Sequence, residues 1–115
     1  MTTAAQFRRI ALSLEGTSEA PHFDRAAFKV TRIYATLAAD GRTANLKFAP
    51  DEQEMKCLLA PEAFAQVPNA WGKQGWTTAT LSKLTATELK HALEIAWHHA
   101  LPKKRATQRG PARKR

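Results

Sequence analysis

The sequence predicts an α+β domain, an antiparallel sheet with its helices packed on one face, in the order α-β-β-β-α-β-β-α. Three observations carry this reading. Apolar and polar residues alternate in three short segments between residues 26 and 48. Segments of helical period stand before and after them. Well-formed start and turn signals, Asp40-Gly41 and a Thr-x-x-Glu box at Thr85–Glu88, punctuate the two regimes.

The first helix is expected over residues 4–15, where Phe7, Ile10, Ala11 and Leu14 share one face. Thr2 or Thr3 caps it, and Gly16 suits its end. In "AAFKV" Phe28 and Val30 lie opposite Lys29. In "IYATL" Ile33, Ala35 and Leu37 lie opposite Tyr34 and Thr36, and in "TANLKF" Ala44, Leu46 and Phe48 lie opposite Thr43, Asn45 and Lys47. Such alternation describes a sheet with one buried face. Turns at Thr31-Arg32 and Asp40-Gly41 make these strands an antiparallel meander.

"PDEQEMKCLLA" then changes to helical period, with Asp51 as cap and Met55, Leu58 and Leu59 as the apolar stripe. Pro61 ends it, "EAF" reads as a further helical turn, and "QVP" as a brief edge strand. After the loop "NAWGKQG" comes the strand "WTTATL". The Thr85–Glu88 capping box, with Leu84 and Leu89 as its staple, opens a last helix that runs to Pro102. The domain is expected over residues 1–101 and a disordered basic tail over 102–115.

The net charge of +8 is unevenly placed. Lys103, Lys104, Arg105, Arg109, Arg113, Lys114 and Arg115 give the tail seven positive charges and no negative one. The other 101 residues hold 11 basic side chains against 10 acidic ones. The domain is thus nearly neutral, and the tail is either a solubilising end or a polyanion-binding arm acting through counterion release. A lone cysteine, Cys57, and charges where a signal peptide needs an unbroken apolar stretch lead us to expect a cytoplasmic protein.

Two surfaces are candidate sites. In Trp71-Gly72-Lys73-Gln74-Gly75-Trp76, backbone N–H groups and Lys73 are suited to hold a phosphate while Trp71 stacks on a base. The alternative is structural: Gly72 and Gly75 supply positive φ, and the two indoles cover the end of the core. The second surface is the polar sheet face, with Lys29, Tyr34, Thr36, Asn45 and Lys47, which is either a contact face for a polyanion or an ordinary solvated one. His22 is expected to be buried or capping, bonded to backbone. No set of ligands at recognised spacing indicates a metal, and no nucleophile elbow, phosphate loop or dinucleotide fingerprint indicates an enzyme or a cofactor.

The segments "LEGTSEAPHFDRAAFKV", "IYATLAADGRTANLKF", "PNAWGKQGWTTATL" and "ELKHALEIAWHHALPKK" together resemble the MmcQ/YjbR family of small bacterial proteins. Pro21-His22-Phe23 ahead of Phe28, and Trp71-Gly72 with Gly75-Trp76, are the most specific pieces of a similarity that runs from about Phe7 to Lys104. It implies a fold similar to the type III secretion chaperones and a DNA-binding role; the lack of catalytic motifs makes us expect no enzyme, a protein partner in an adaptor role is the alternative, and no membrane association is expected.

Overall fold

In a computed structural model that describes residues 2–102, the chain enters α1 (Ala4–Ser13) through a closed capping box. Thr3 Oγ1 accepts from Gln6 N at 3.2 Å, and Gln6 Oε1 accepts from Thr3 N at 3.0 Å. The elements then follow as β1 (Ser18–His22), β2 (Arg25–Lys29), β3 (Ile33–Leu37), β4 (Thr43–Lys47), α2 (Pro50–Leu59), β5 (Phe64–Gln66), α3 (Ala70–Lys73), β6 (Trp76–Thr80) and α4 (Ala86–Ala100). One antiparallel sheet of six strands results, ordered β1-β2-β3-β4-β6-β5.

Four expected strands and the three long helices are present. The difference lies at the edges. β1 is not among the expected strands, since "SEAPH" has no apolar alternation and contains a proline. Pairing with β2 holds it nonetheless, with Ser18 opposite Lys29 and His22 opposite Arg25. As an edge strand exposed along its whole length, it needs no buried face and tolerates Pro21. At the other edge, β5 pairs through Phe64–Gln66, two residues before the expected "QVP" strand, and "EAF" supplies a turn and the start of β5.

The core lies between the sheet and the layer of α1 and α4. Phe7 of α1 meets Phe28 of β2 edge-on, ring centroids 5.4 Å apart, and Leu46, Phe48, Leu81, Leu89 and Leu93 are buried with them. At the start of α4, Thr85 Oγ1 accepts from Glu88 N and Glu88 Oε1 from Thr85 N, while Leu84 and Leu89 are both buried. Trp97 Nε1 donates to the Glu15 carbonyl at 2.9 Å, tying α4 to the end of α1. No helix among the described residues is long and apolar enough to cross a membrane.

Two expectations about which side chains face inward are corrected. Tyr34 does not join the polar sheet face. Phe28 pairs with Ala35 but Lys29 pairs with Ile33, so β3 carries one extra residue at a bulge. That slip turns Tyr34 into the core, fully buried, where its hydroxyl shares a 2.9 Å hydrogen bond with Thr17 Oγ1 and lies 3.4 Å from the Ala11 carbonyl it donates to. Ile33 takes the opposite face instead.

The second correction concerns α2. Its stripe of Met55, Leu58 and Leu59 points outward, 54%, 74% and 73% exposed, while Gln53 is the buried residue. Ala49 is the N-cap and Pro50 the first helical residue, so Asp51 stands inside the helix rather than capping it.

Candidate nucleic-acid interface

The sheet face opposite α1 and α4 forms the floor of a groove of about 520 Å³, within the range of sites that hold small molecules. Register decides what the floor presents. Thr36, Asn45 and Thr78 lie opposite one another on β3, β4 and β6, and Lys47 lies opposite Trp76. Arg25 Nε donates to Thr36 Oγ1 at 2.8 Å, which holds the guanidinium over the end of the sheet. Thr78 Oγ1 donates to Asn45 Oδ1 at 2.9 Å, and among the described residues no acceptor meets the Asn45 amide nitrogen.

Two walls rise from this floor. The first is the tip of the β1–β2 hairpin, where Phe23 and Asp24 form the two-residue loop between His22 and Arg25. Phe23 has φ +59°, the one positive φ of a non-glycine residue among the described residues, and its side chain is 94% exposed. Two-residue hairpin loops favour positive φ, normally with glycine or asparagine there. A phenylalanine in this conformation bears strain of about 1–2 kcal/mol. His22 is exposed rather than buried, its ring 4.8 Å from that of Phe23, because β1 is an edge strand with no layer over it.

The second wall is the loop between β5 and β6. Asn69 Oδ1 caps the four-residue α3 by accepting from Trp71 N at 2.9 Å, and Trp71 is 58% exposed above the groove. Neither Trp71 nor Trp76 covers the end of the core; both line the groove. The glycines act as the structural reading requires, but by two means. Gly75 has φ +110° and passes over the Phe48 carbonyl, which a Cβ would overlap. Gly72 keeps an ordinary φ; a Cβ there would run into the Val67 carbonyl, so close approach rather than positive φ demands glycine. Gln53 of α2 fastens the turn from below, its Nε2 donating to the Gly72 carbonyl at 2.9 Å and the Trp76 carbonyl at 3.0 Å.

The structure therefore brings Lys47 and Trp71 into one groove, and adds Phe23, Arg25 and Trp76. Lys29 is exposed on β2 and does not line it. Lys73 does not line it and borders a neighbouring hollow with Pro68 and Asn69. The tail residues Lys103, Lys104, Arg105, Arg109, Arg113, Lys114 and Arg115 lie outside the described residues.

Arg25 and Lys47 make the groove cationic, and no carboxylate is among its lining residues. Phe23 and Arg25 escaped the sequence reading because the strand before them was not recognised. The available signal was "HFDR" ahead of an alternating run, a two-residue connection between strands. Cys57 packs against the edge of the core, and burial pushes its thiol up from the ordinary value, which leaves it protonated and unreactive at neutral pH.

The family model described as YjbR matches residues 12–99. A crystal structure of a Deinococcus radiodurans protein, described as having a DUF419 domain, superposes with a TM-score of 0.77 at 24% identity, over 90% of this chain and 82% of that one. The likeness is one of fold. No curated protein matches the chain.

Proposed function

The chain belongs to the YjbR family, and from that premise we propose that it is a non-enzymatic, cytoplasmic DNA-binding protein whose contact site is the groove on the open sheet face. One observation carries the reading: a domain of nearly balanced charge gathers Arg25 and Lys47 with exposed aromatic rings in a concave surface free of carboxylates. Cations position phosphates, and rings and amides meet bases. The seven positive charges of the tail add affinity without sequence preference. No cofactor, metal or membrane enters this reading.

The test is a salt series of binding to a labelled duplex, with the full chain, a chain ending at Pro102, and the full chain carrying Arg25→Ala and Lys47→Ala. Each lost phosphate contact should flatten the log–log salt slope by about 0.9, so the double substitution should flatten it by roughly 2. A full chain indifferent to both substitutions, with binding that disappears on truncation, would reduce the activity to a cationic tail.

A second reading, a protein-interaction adaptor, is favoured by the outward apolar stripe of α2. Light scattering of the full chain and of Leu58→Glu tests it. A dimer that dissociates on substitution supports the adaptor reading, and a monomer in both cases removes its physical basis.

A further inference from the structure

We infer that the groove is a single-strand site, in which unpaired bases stack on Trp71 and Phe23 and the phosphates between them are held by Arg25 and Lys47. The inference rests on the nucleic-acid reading above and narrows its ligand.

The first argument is what the walls offer. Trp71 and Phe23 present ring faces and edges to solvent, 58% and 94% exposed, on either side of the same groove. In a duplex the faces of the bases are stacked on one another, and only their edges are open to a protein. An aromatic platform is matched by a base only when that base is unpaired.

The second argument is order across the sheet. Phe23 belongs to the hairpin that ends in β2, Lys47 lies on β4, and Trp76, with the Trp71 loop before it, begins β6. Since β2, β3, β4 and β6 are successive neighbours, the two walls stand about three strand spacings apart across the sheet, roughly 14 Å. The register sets Lys47 and Trp76 toward the opposite strand end from Arg25, so the line between the walls is a diagonal. Arg25 and Lys47 fall between them, on β2 and β4. A strand laid diagonally over the sheet thus meets ring, cation, cation, ring in turn, an arrangement suited to alternating bases and phosphates.

The floor adds the third argument. Thr78 occupies the oxygen of the Asn45 side chain and leaves its amide nitrogen without a partner among the described residues. A half-buried donor of this kind accepts a base carbonyl at little cost, and an unsatisfied one is otherwise a liability.

The experiment uses the full chain and measures anisotropy of labelled twelve-residue strands, oligo-deoxythymidine and oligo-uridine, beside a twelve-base-pair duplex. Trp71→Ala and Phe23→Gly are the variants, both at exposed side chains, with circular dichroism to verify folding. We expect one of the single strands to bind more tightly than the duplex, and each variant to lose roughly 5- to 150-fold on that strand. The stronger of the two strands identifies the polymer. Duplex binding at least as tight as both strands, or variants within twofold of the parent on the strands, overturns the single-strand assignment. If Arg25→Ala and Lys47→Ala still weaken duplex binding in that event, the broader DNA-binding reading stands. If those substitutions change nothing on any probe, both fall.

Discussion

Replacing Phe23 by glycine should leave the fold about as stable as before, although the loss of a phenylalanine from a packed core costs about 3–5 kcal/mol or more. The magnitude follows from three terms. Relief of the left-handed conformation at φ +59° returns about 1–2 kcal/mol. Glycine's extra freedom in the unfolded chain takes back about 0.5–1 kcal/mol. The edge-on contact with the His22 ring, solvent-exposed, is worth about 0.5 kcal/mol. The net change lies between about −0.5 and +1 kcal/mol. For a domain of this size 1 kcal/mol moves Tm by about 4–8 °C, so Tm should lie between about 4 °C below and 8 °C above the parent's in a thermal scan of the full chain. Phe23→Asn tolerates the same backbone without the glycine term and should lie slightly higher. A fall of more than about 5 °C for both variants would refute the reasoning: Phe23 would then be holding the hairpin together, and its strain would need another explanation than exposure to a ligand.

Gly75→Ala should be severe, because a Cβ at φ +110° meets the Phe48 carbonyl; urea denaturation should show a loss of about 2 kcal/mol or more. A midpoint unchanged from the parent would mean that the β5–β6 turn is free to shift. At alkaline pH, Tyr34 should cost stability. Burial pushes its phenol above the ordinary value near 10, with the Thr17 hydrogen bond opposing. Both states are protonated below that value, so stability is intact there. It falls as pH rises further, since the unfolded chain releases its proton first. Urea titrations between pH 8 and 11 should show this slope in the parent and lose its Tyr34 share in Tyr34→Phe.

Much of the fold is legible in the chain because local signals and packing agree. The Thr85–Glu88 box, the Leu84/Leu89 staple and the alternation of Ala44, Leu46 and Phe48 all keep their meaning in three dimensions. Legibility fails where context reverses a local pattern. The bulge in β3 inserts one residue, and an alternation read without it puts Tyr34 outside and Ile33 inside. In α2 the apolar stripe faces out, because the helix spends its inner face on Gln53, whose amide satisfies carbonyls twenty residues away in sequence. The site was half legible. Lys47 and Trp71 were visible as a cation on an alternating strand and an aromatic in a glycine loop. Phe23 and Arg25 depend on β1, whose pairing comes from β2 and not from any pattern of its own.

The two walls of the groove differ in how they are mounted. The Trp71 side is a fixed jaw: two carbonyls of its turn are clamped by one amide on a neighbouring helix. The Phe23 side is a cantilever. Its outer strand is bound to the body through β2 and through Arg8 and Glu19, an ion pair at 3.0 Å whose side chains are 44% and 27% exposed. Such a pair contributes about 0.2–1 kcal/mol and weakens as salt rises. The compliance of the groove is therefore one-sided and ionic-strength dependent. On the proposed reading, salt that weakens phosphate contacts at Arg25 and Lys47 also slackens the arm that carries Phe23, while the tryptophan side keeps its clamp.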